Sequence, residues 1–328
     1  MKNYTIKRYE STDYKNWNAF VDTAKNATFL FHRDFMEYHQ DRFEDYSLIV
    51  LDGNRWVAIL PANGVGTTLF SHQGLSYGGL VYDDKVKLAN CIEIFKKLLF
   101  FLQSNGIEKL QIKMIPSIYH NQPAEELNYA LFLVNATLIR RDSLSVIDRL
   151  FTNTLSTVRQ RGIKSGIKNQ LVIKEVASFD DFWEKVLVPN LEIKFDVKPV
   201  HSLEEITKLK RLFPNNIRQF NVYHEGDIIA GTTIFESKNV AHCQYISTQK
   251  SKKELGGLDY LFNYLITDVF KSKQFFDFGN SNINSGRNLN SGLSYWKESF
   301  GAGTVVHDYY EVETSKYSLL DNSLTNGI

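Results

Sequence analysis

Cysteine is scarce in this sequence. Its 328 residues include only two cysteines, Cys91 and Cys243, which fall in a predicted helix and a predicted strand. This usage argues against a disulfide scaffold and against a cysteine-rich metal site, and it is typical of proteins in a reducing compartment. We therefore expect a cytoplasmic protein.

Long apolar runs and an excess of one charge are also missing. No stretch approaches 18 uninterrupted apolar residues, and the N-terminal MKNYTIKRYESTDYKNW lacks the apolar core of a signal peptide, so we expect no membrane span. The 38 Lys and Arg residues nearly balance the 37 Asp and Glu residues, giving a net charge of +1. We do not expect such a chain to coat DNA or to carry a polybasic membrane anchor.

Signatures of metal and nucleotide chemistry are absent as well. The sequence has no Walker or H-E-x-x-H motif, which disfavours P-loop NTPases and zincins. His32, His39 and Asp41 come closest to a ligand cluster, but their spacing fits no closed set of metal ligands. We predict no metal site.

The apolar residues follow an order that occurs twice. In the first half, two apolar runs joined by Asp52-Gly53 predict a β-hairpin. The helix-like DDKVKLANCIEIFKKLLFFLQSNG follows, with Asp83 or Asp84 as its N-cap and Gly106 at its end, and then the strand KLQIKMI.

We interpret the first half as a hairpin, a strand, a helix and a strand, and the second half repeats this order. A hairpin around Glu225-Gly226 is followed by the strand VAHCQYIS, the helix GGLDYLFNYLITDVFKSK and the strand FFDFGN. The two copies lie much further apart than the roughly 20–50 residues of a solenoid repeat. We predict two α/β domains, at residues 1–150 and 170–328, joined by a basic helix at residues 151–169.

That joining segment, TNTLSTVRQRGIKSGIKNQLVIKE, is a candidate site for an anion. Arg159, Arg161, Lys164 and Lys168 occur in it without an intervening acidic residue. A charge run of this kind is compatible with a solvated helix face. It is also compatible with a site for an anionic substrate beside a cleft between two domains. The residues alone leave both interpretations open.

Two further segments are candidates for ligand binding. Gly256-Gly257, preceded by Lys252 and Lys253, stands where a loop turns into a helix, and free N–H groups there can bind a pyrophosphate. A tight loop that requires glycine is the alternative.

The second segment is FDFGNSNINSGRNLNSGLSYWKESFGAG. It places Asp277 and Asn280 at a strand end and groups Tyr295 with Lys297 further on. Ligand crevices in open α/β sheets form at strand ends, so we predict that this run forms a wall of a ligand site. The alternative is an ordinary long loop with surface charges.

These residues resemble the FemABX-like branch of the GNAT superfamily of acetyltransferases, including proteins with a BioF2-like acetyltransferase domain. The resemblance covers most of the chain and depends on three segments: LSTVRQRGIKSGIKNQLVIKE, GGLDYLFNYLI and FDFGNSN…GLSYWKESFGA. The last is similar to the family's C-terminal DF-G…GL…FK-x-x-FG pattern. Lys253, Gly256 and Leu258 stand where the usual phosphate loop has Arg/Gln-x-x-Gly-x-Gly/Ala.

The resemblance implies an α/β chain of two tandem GNAT-like domains, each a mixed, mostly antiparallel sheet flanked by helices. It implies an N-acyltransferase that uses acetyl-CoA or another acyl-CoA, with the amine of an amino sugar or nucleotide-linked amino sugar as acceptor, in surface-glycan or cell-wall synthesis. The expected roles are catalysis for Lys297, Asp277 and Tyr295, donor binding for Lys253, Gly256 and Gly257, and acceptor binding for Arg159, Arg161 and Asn280.

Two alternatives remain open. A FemX-like peptidyltransferase would use aminoacyl-tRNA as donor, although the sequence lacks the long charged coiled coil that often accompanies that use. A non-catalytic protein that binds glycans on a GNAT scaffold would bind no donor.

Overall fold

The computed structural model describes residues 3–151, 154–195 and 197–324. Its strands are β1 (Tyr4–Arg8), β2 (Leu48–Asp52), β3 (Arg55–Leu60), β4 (Asn63–Val65), β5 (Thr68–Phe70), β6 (Val81–Tyr82), β7 (Lys109–Lys113), β8 (Thr137–Asp148), β9 (Val172–Val176), β10 (Ile217–His224), β11 (Asp227–Glu236), β12 (Val240–Thr248), β13 (Phe275–Asn280), β14 (Asn282–Ile283), β15 (Asn288–Leu289) and β16 (Gly303–Glu313). Its α-helices are α1 (Tyr14–Thr23), α2 (Arg33–Met36), α3 (Leu88–Ser104), α4 (Glu126–Leu133), α5 (Thr157–Lys168), α6 (Asp180–Phe182), α7 (Val188–Phe195), α8 (Leu203–Leu212), α9 (Gly257–Tyr264) and α10 (Ser291–Glu298).

The chain divides into two units. Unit 1 comprises Met1–Asp142, Ser285–Arg287 and Val306–Ile328, and unit 2 comprises Ser143–Asn284 and Asn288–Val305. The basic helix α5 therefore belongs to unit 2.

Unit 1 is built around α3. The antiparallel strands β1, β2, β3 and β6 form one sheet, and β4, β5, β7 and β16 are neighbours in a second sheet, where β5 and β7 run parallel. Apolar residues of α3 such as Phe95 and Leu98 are fully buried against residues of both sheets, including Val50 and Leu110. The apolar residues of α3 recur at helical spacing, and their burial between the two sheets stabilises the helix.

Unit 2 has one continuous series of strands around a second core. The order is β8, β13, β12, β11, β10 and β9, with β12 and β13 parallel and the other neighbours antiparallel. The core under α9 is aromatic, with Phe262, Phe276, Phe278 and Phe300 in edge or tilted contact. The helix α9 follows β12 in the chain and precedes β13, so it is the crossover connection between these two parallel strands.

The predicted elements agree with the structure except at their ends. Both hairpins, the basic helix and the strand FFDFGN are confirmed. The prediction of Asp83 or Asp84 as N-cap of α3 is wrong, because Lys87 is the cap and Asp83 instead pairs with Arg55. The polar run after β13 contains the short hairpin of β14 and β15 rather than only a loop. Among the described residues, no helix has the length and apolar character needed to cross a membrane.

Candidate functional site

The parallel strands β12 and β13 of unit 2 stop pairing partway along their length, and we call the region beyond their last pair the opening. The strands pair from Val240–Phe275 to His242–Asp277, and within the described chain this pairing stops there although β12 continues to Thr248 and β13 to Asn280. Both strands are irregular just beyond the last pair. The register of β12 with β11 skips Gln244, which is a bulge, and the register of β13 with β8 shifts between Asp277 and Asn280. Bulges of this kind bend a strand away from its neighbour and leave main-chain groups open to a ligand.

A histidine and an aspartate stand at the closed end of this opening. His242 Nδ1 lies 2.8 Å from Asp277 Oδ2, and Asp277 is 1% exposed and also accepts a hydrogen bond from Gly279 N at 2.7 Å. A carboxylate at this distance makes Nδ1 the donor, so the neutral imidazole has its lone pair on Nε2. The ring lies over Gly279, where a Cβ would be 3.4 Å from His242 Cε1. The pair has the geometry of an oriented general base.

Lys297 supports the same strand end from α10. Its side chain is 3% exposed, and Nζ donates to the carbonyl oxygens of Gly279 at 3.0 Å and Asn280 at 2.5 Å. Burial lowers the pKa of Lys297 to about 8, although the Asp277 carboxylate opposes that shift. The ammonium group thus stabilises the main chain at Gly279 and Asn280, where β13 is no longer paired with β12.

Replacing Lys297 with methionine tests this burial. Between pH 8 and 10.5, Lys297 still carries its proton in the unfolded chain but has lost it in the folded protein. The wild-type protein should therefore become more stable as pH rises. Relative to Lys297→Met, its free energy of unfolding should increase by up to about 3 kcal/mol across this window. Urea denaturation at a series of pH values measures the difference. The exposed Lys253→Met is the control and should leave the wild-type profile unchanged, and parallel profiles for Lys297→Met would contradict the prediction.

The N-terminus of α9 lies against the basic helix α5. Gly256 has a left-handed φ of +78°, and Gly257 begins the helix after the segment that contains Lys252 and Lys253. Lys253 is exposed and Lys252 is half-buried. The missing Cβ of Gly257 faces Ile229 of β11 at 3.3 Å, so this glycine serves close packing onto the sheet.

An ion pair joins α5 to α9. Arg159 pairs with Asp259, and Trp296 Nε1 donates to the same carboxylate oxygen at 3.3 Å. Burial raises the pKa of Asp259 against the opposing effect of Arg159. Arg159 Nε is buried and has no hydrogen-bond partner among the described residues. Arg161, by contrast, is exposed on the other side of the helix.

The structure thus brings together some of the residues predicted from the sequence. Asp277, Lys297 and the main chain of Asn280 meet at the end of β13, whereas the side chain of Tyr295 is 59% exposed on α10. The catalytic and binding roles of all these residues stay predictions. His242 was missed because its place within VAHCQYIS is that of any residue of a strand, and only the parallel pairing with β13 sets it beside Asp277.

One G-x-S-x-G pentapeptide is present, at 74–78. It lies in the loop that leads from β5 to the strand β6, and Ser76 is exposed. A nucleophile elbow requires a strand, a sharp turn and a helix, so this pentapeptide is not one.

The fold is α/β of the tandem GNAT type, with mostly antiparallel sheets flanked by helices. No family model matches the sequence, and no curated protein matches it. Among solved structures, FemX aligns with 97% of this chain and 100% of its own, with a TM-score of 0.66 at 8% identity. L-PGS from Bacillus licheniformis aligns over 96% and 95% with a TM-score of 0.60 at 12% identity. A tandem GNAT protein from the clavulanic acid biosynthesis pathway aligns over 95% and 99%, with a TM-score of 0.51 at 10% identity.

Proposed function

We propose that the protein is an N-acyltransferase that transfers an acyl group from acyl-CoA to the amine of an amino sugar or nucleotide-linked amino sugar in surface-glycan or cell-wall synthesis. The observation that carries this proposal is the His242–Asp277 pair at the closed end of the opening between β12 and β13. Attack by an amine requires removal of a proton, and an imidazole oriented by a carboxylate is suited to accept it.

In the proposed reaction the amine nitrogen attacks the thioester carbonyl carbon. The amine proton passes to His242 Nε2 as the N–C bond forms, the C–S bond breaks, and the sulfur leaves as a thiolate that takes up a proton. Asp277 keeps the imidazole in the required tautomer and is a positioning residue. The main-chain groups of β12 that β13 leaves unpaired supply donors for the developing oxyanion.

Charge before α9 and one unsatisfied acceptor on β12 support the binding of a donor. Lys252 and Lys253 precede α9, whose first N–H groups favour a phosphate. The Oε1 atom of Gln244, at the bulge of β12, is buried without a hydrogen-bond partner among the described residues. An amide N–H of an extended donor would satisfy it.

Removing both lysines tests the donor site. The double variant Lys252→Ala and Lys253→Ala should bind CoA roughly tenfold more weakly than wild type, because two cations near a pyrophosphate are lost. Isothermal titration calorimetry measures the affinities. A double variant of the exposed Lys208 and Lys271 is the matched control. Equal CoA affinity in the two double variants would contradict a phosphate site at α9.

An aminoacyl-tRNA donor is the second candidate. The similarity to FemX, with a higher TM-score than to the tandem GNAT protein, favours it. A donor panel of acetyl-CoA and charged tRNA decides between the two. Binding of charged tRNA with no binding of CoA would replace the first proposal with the second, and binding of neither would favour a non-catalytic protein that binds glycans.

A further inference from the structure

A second concave site lies in unit 1. A cavity of about 300 Å³ is formed by α2, by the residues that follow it up to Asp45, and by the loop after β5. This volume is at the lower end of the roughly 300–1,000 Å³ of small-molecule pockets. We call it the α2 cavity. None of the residues assigned above to the opening between β12 and β13 lines it.

The lining of the α2 cavity is acidic. Glu37, Glu44 and Asp45 contribute carboxylates, and Arg33 contributes the one guanidinium among the lining residues. Arg33 is 3% exposed and its charge is already engaged, because Nε donates to Glu37 Oε1 at 2.9 Å and Nη2 donates to Asp45. The guanidinium also lies over the Tyr9 ring at 3.8 Å. Among the lining residues the carboxylates therefore outnumber the guanidinium, which favours a cation over an anion in the cavity.

The inner wall of the α2 cavity is aromatic and neutral. His72 is 5% exposed, and burial lowers its pKa to about 3, so the ring carries no charge near neutral pH. Its Nδ1 has no hydrogen-bond partner among the described residues. The ring lies 5.6 Å from that of Phe43, centroid to centroid. The backbone φ of His72 is +64°, which is rare for a residue with a side chain, and such strained residues cluster at ligand sites.

This combination identifies the class of ligand. Carboxylates accept hydrogen bonds from an ammonium group, and the aromatic wall offers apolar surface to an alkyl chain. An anion is disfavoured because Arg33 is already paired. A bare metal ion is disfavoured too, because no group of three or more His, Cys, Asp or Glu side chains in the described part of the chain is arranged to hold one.

We propose that the α2 cavity is a binding site for a small organic cation with a primary ammonium group on a short alkyl chain. The ammonium group lies against the carboxylates of Glu37 and Glu44, and the alkyl chain lies against Phe43 and His72. This proposal does not depend on the proposed acyl transfer, and the experiments below test it separately.

Calorimetric titration of the whole chain with pentylamine, 1-pentanol and hexanoate tests the proposal. Pentylamine should bind, and the neutral and anionic probes should bind at least roughly tenfold more weakly, since they lack the charge that the carboxylates attract. The affinity for pentylamine should fall as the salt concentration rises. Equal binding of 1-pentanol, or no pentylamine binding at millimolar concentration, would overturn the proposal.

Three variants locate the binding. Glu44→Gln removes an exposed carboxylate of the lining and should weaken pentylamine binding roughly tenfold, whereas Glu313→Gln, at an exposed glutamate of the same unit, should not. Gln40→Trp places a large ring at the exposed edge of the cavity and should abolish binding. Wild-type affinity in both lining variants would show that the amine binds elsewhere and would overturn the proposal.

Discussion

Replacing His242 with glutamine is expected to lower kcat/KM for acyl transfer by roughly 10²–10⁴-fold, which is the usual contribution of a general base. The glutamine side chain keeps a polar atom beside Asp277 but cannot accept the amine proton. The measurement is release of CoA thiol from acetyl-CoA in the presence of a panel of amino sugars. Donor affinity should change little, because His242 is near the start of β12 whereas the segment that leads to the N-terminus of α9 leaves from the end of β12 at Thr248.

His224 provides a matched control for this experiment. Its side chain is 19% exposed, against 18% for His242, and it also lies near a carboxylate, with Nδ1 3.8 Å from Glu225 Oε2. His224→Gln should retain wild-type activity. If His242→Gln also retains it, the His242–Asp277 pair only holds the two strands together and another group must accept the proton. Asp277→Asn should impair activity less than His242→Gln, because it disturbs the tautomer rather than removing the base.

Gly256→Ala is expected to destabilise unit 2 by about 4 kcal/mol or more, which is exceptional for one methyl group. The added Cβ would overlap the carbonyl oxygen of Gly162 and lie 3.1 Å from Gly166 N, so α5 and α9 would have to separate. Their separation would also strain the ion pair between Arg159 and Asp259. Urea denaturation followed by circular dichroism measures the loss.

Gly226→Ala separates the two causes of that loss. Gly226 has a φ of +92°, comparable with the +78° of Gly256, but a Cβ there would meet no atom within 4 Å. Gly226→Ala should therefore lower the free energy of unfolding only by the strain of a left-handed backbone, about 1–2 kcal/mol. Equal losses in the two variants would mean that backbone strain alone is responsible and that the two helices tolerate the methyl group.

The hairpins and the long helices of both units were predictable because each depends on local patterns. Asp52-Gly53 and Glu225-Gly226 mark their hairpins through turn chemistry, and the apolar spacing of α3 and α9 marks helices whichever strands cover them. The start of α3 was not predictable in this way. Asp83 is a good capping residue by type, but its carboxylate is held by Arg55, which lies on a strand distant in sequence.

The candidate site was predictable only in part, for a similar reason. Asp277 was found because it ends an apolar strand beside glycine, and Lys297 because it follows a polar run. The contact of Asp277 with His242 depends on parallel pairing of strands separated by α9, which no local pattern records. The burial of Lys297 was not foreseen either, because its partners are main-chain carbonyl oxygens rather than side chains.

The path of the chain sets the order in which unit 1 can be completed during synthesis. Strand β16 pairs with β7 inside that unit, with Gln111 and Glu311 hydrogen-bonded across 200 residues of sequence, and Val312 and Leu320 fill the core around α3. The ribosome therefore makes the long segment Ser143–Asn284 of unit 2 before it supplies the last strand of unit 1. Until then β7 has an unpaired edge, so the nascent chain passes through a stage in which an aggregation-prone strand is exposed.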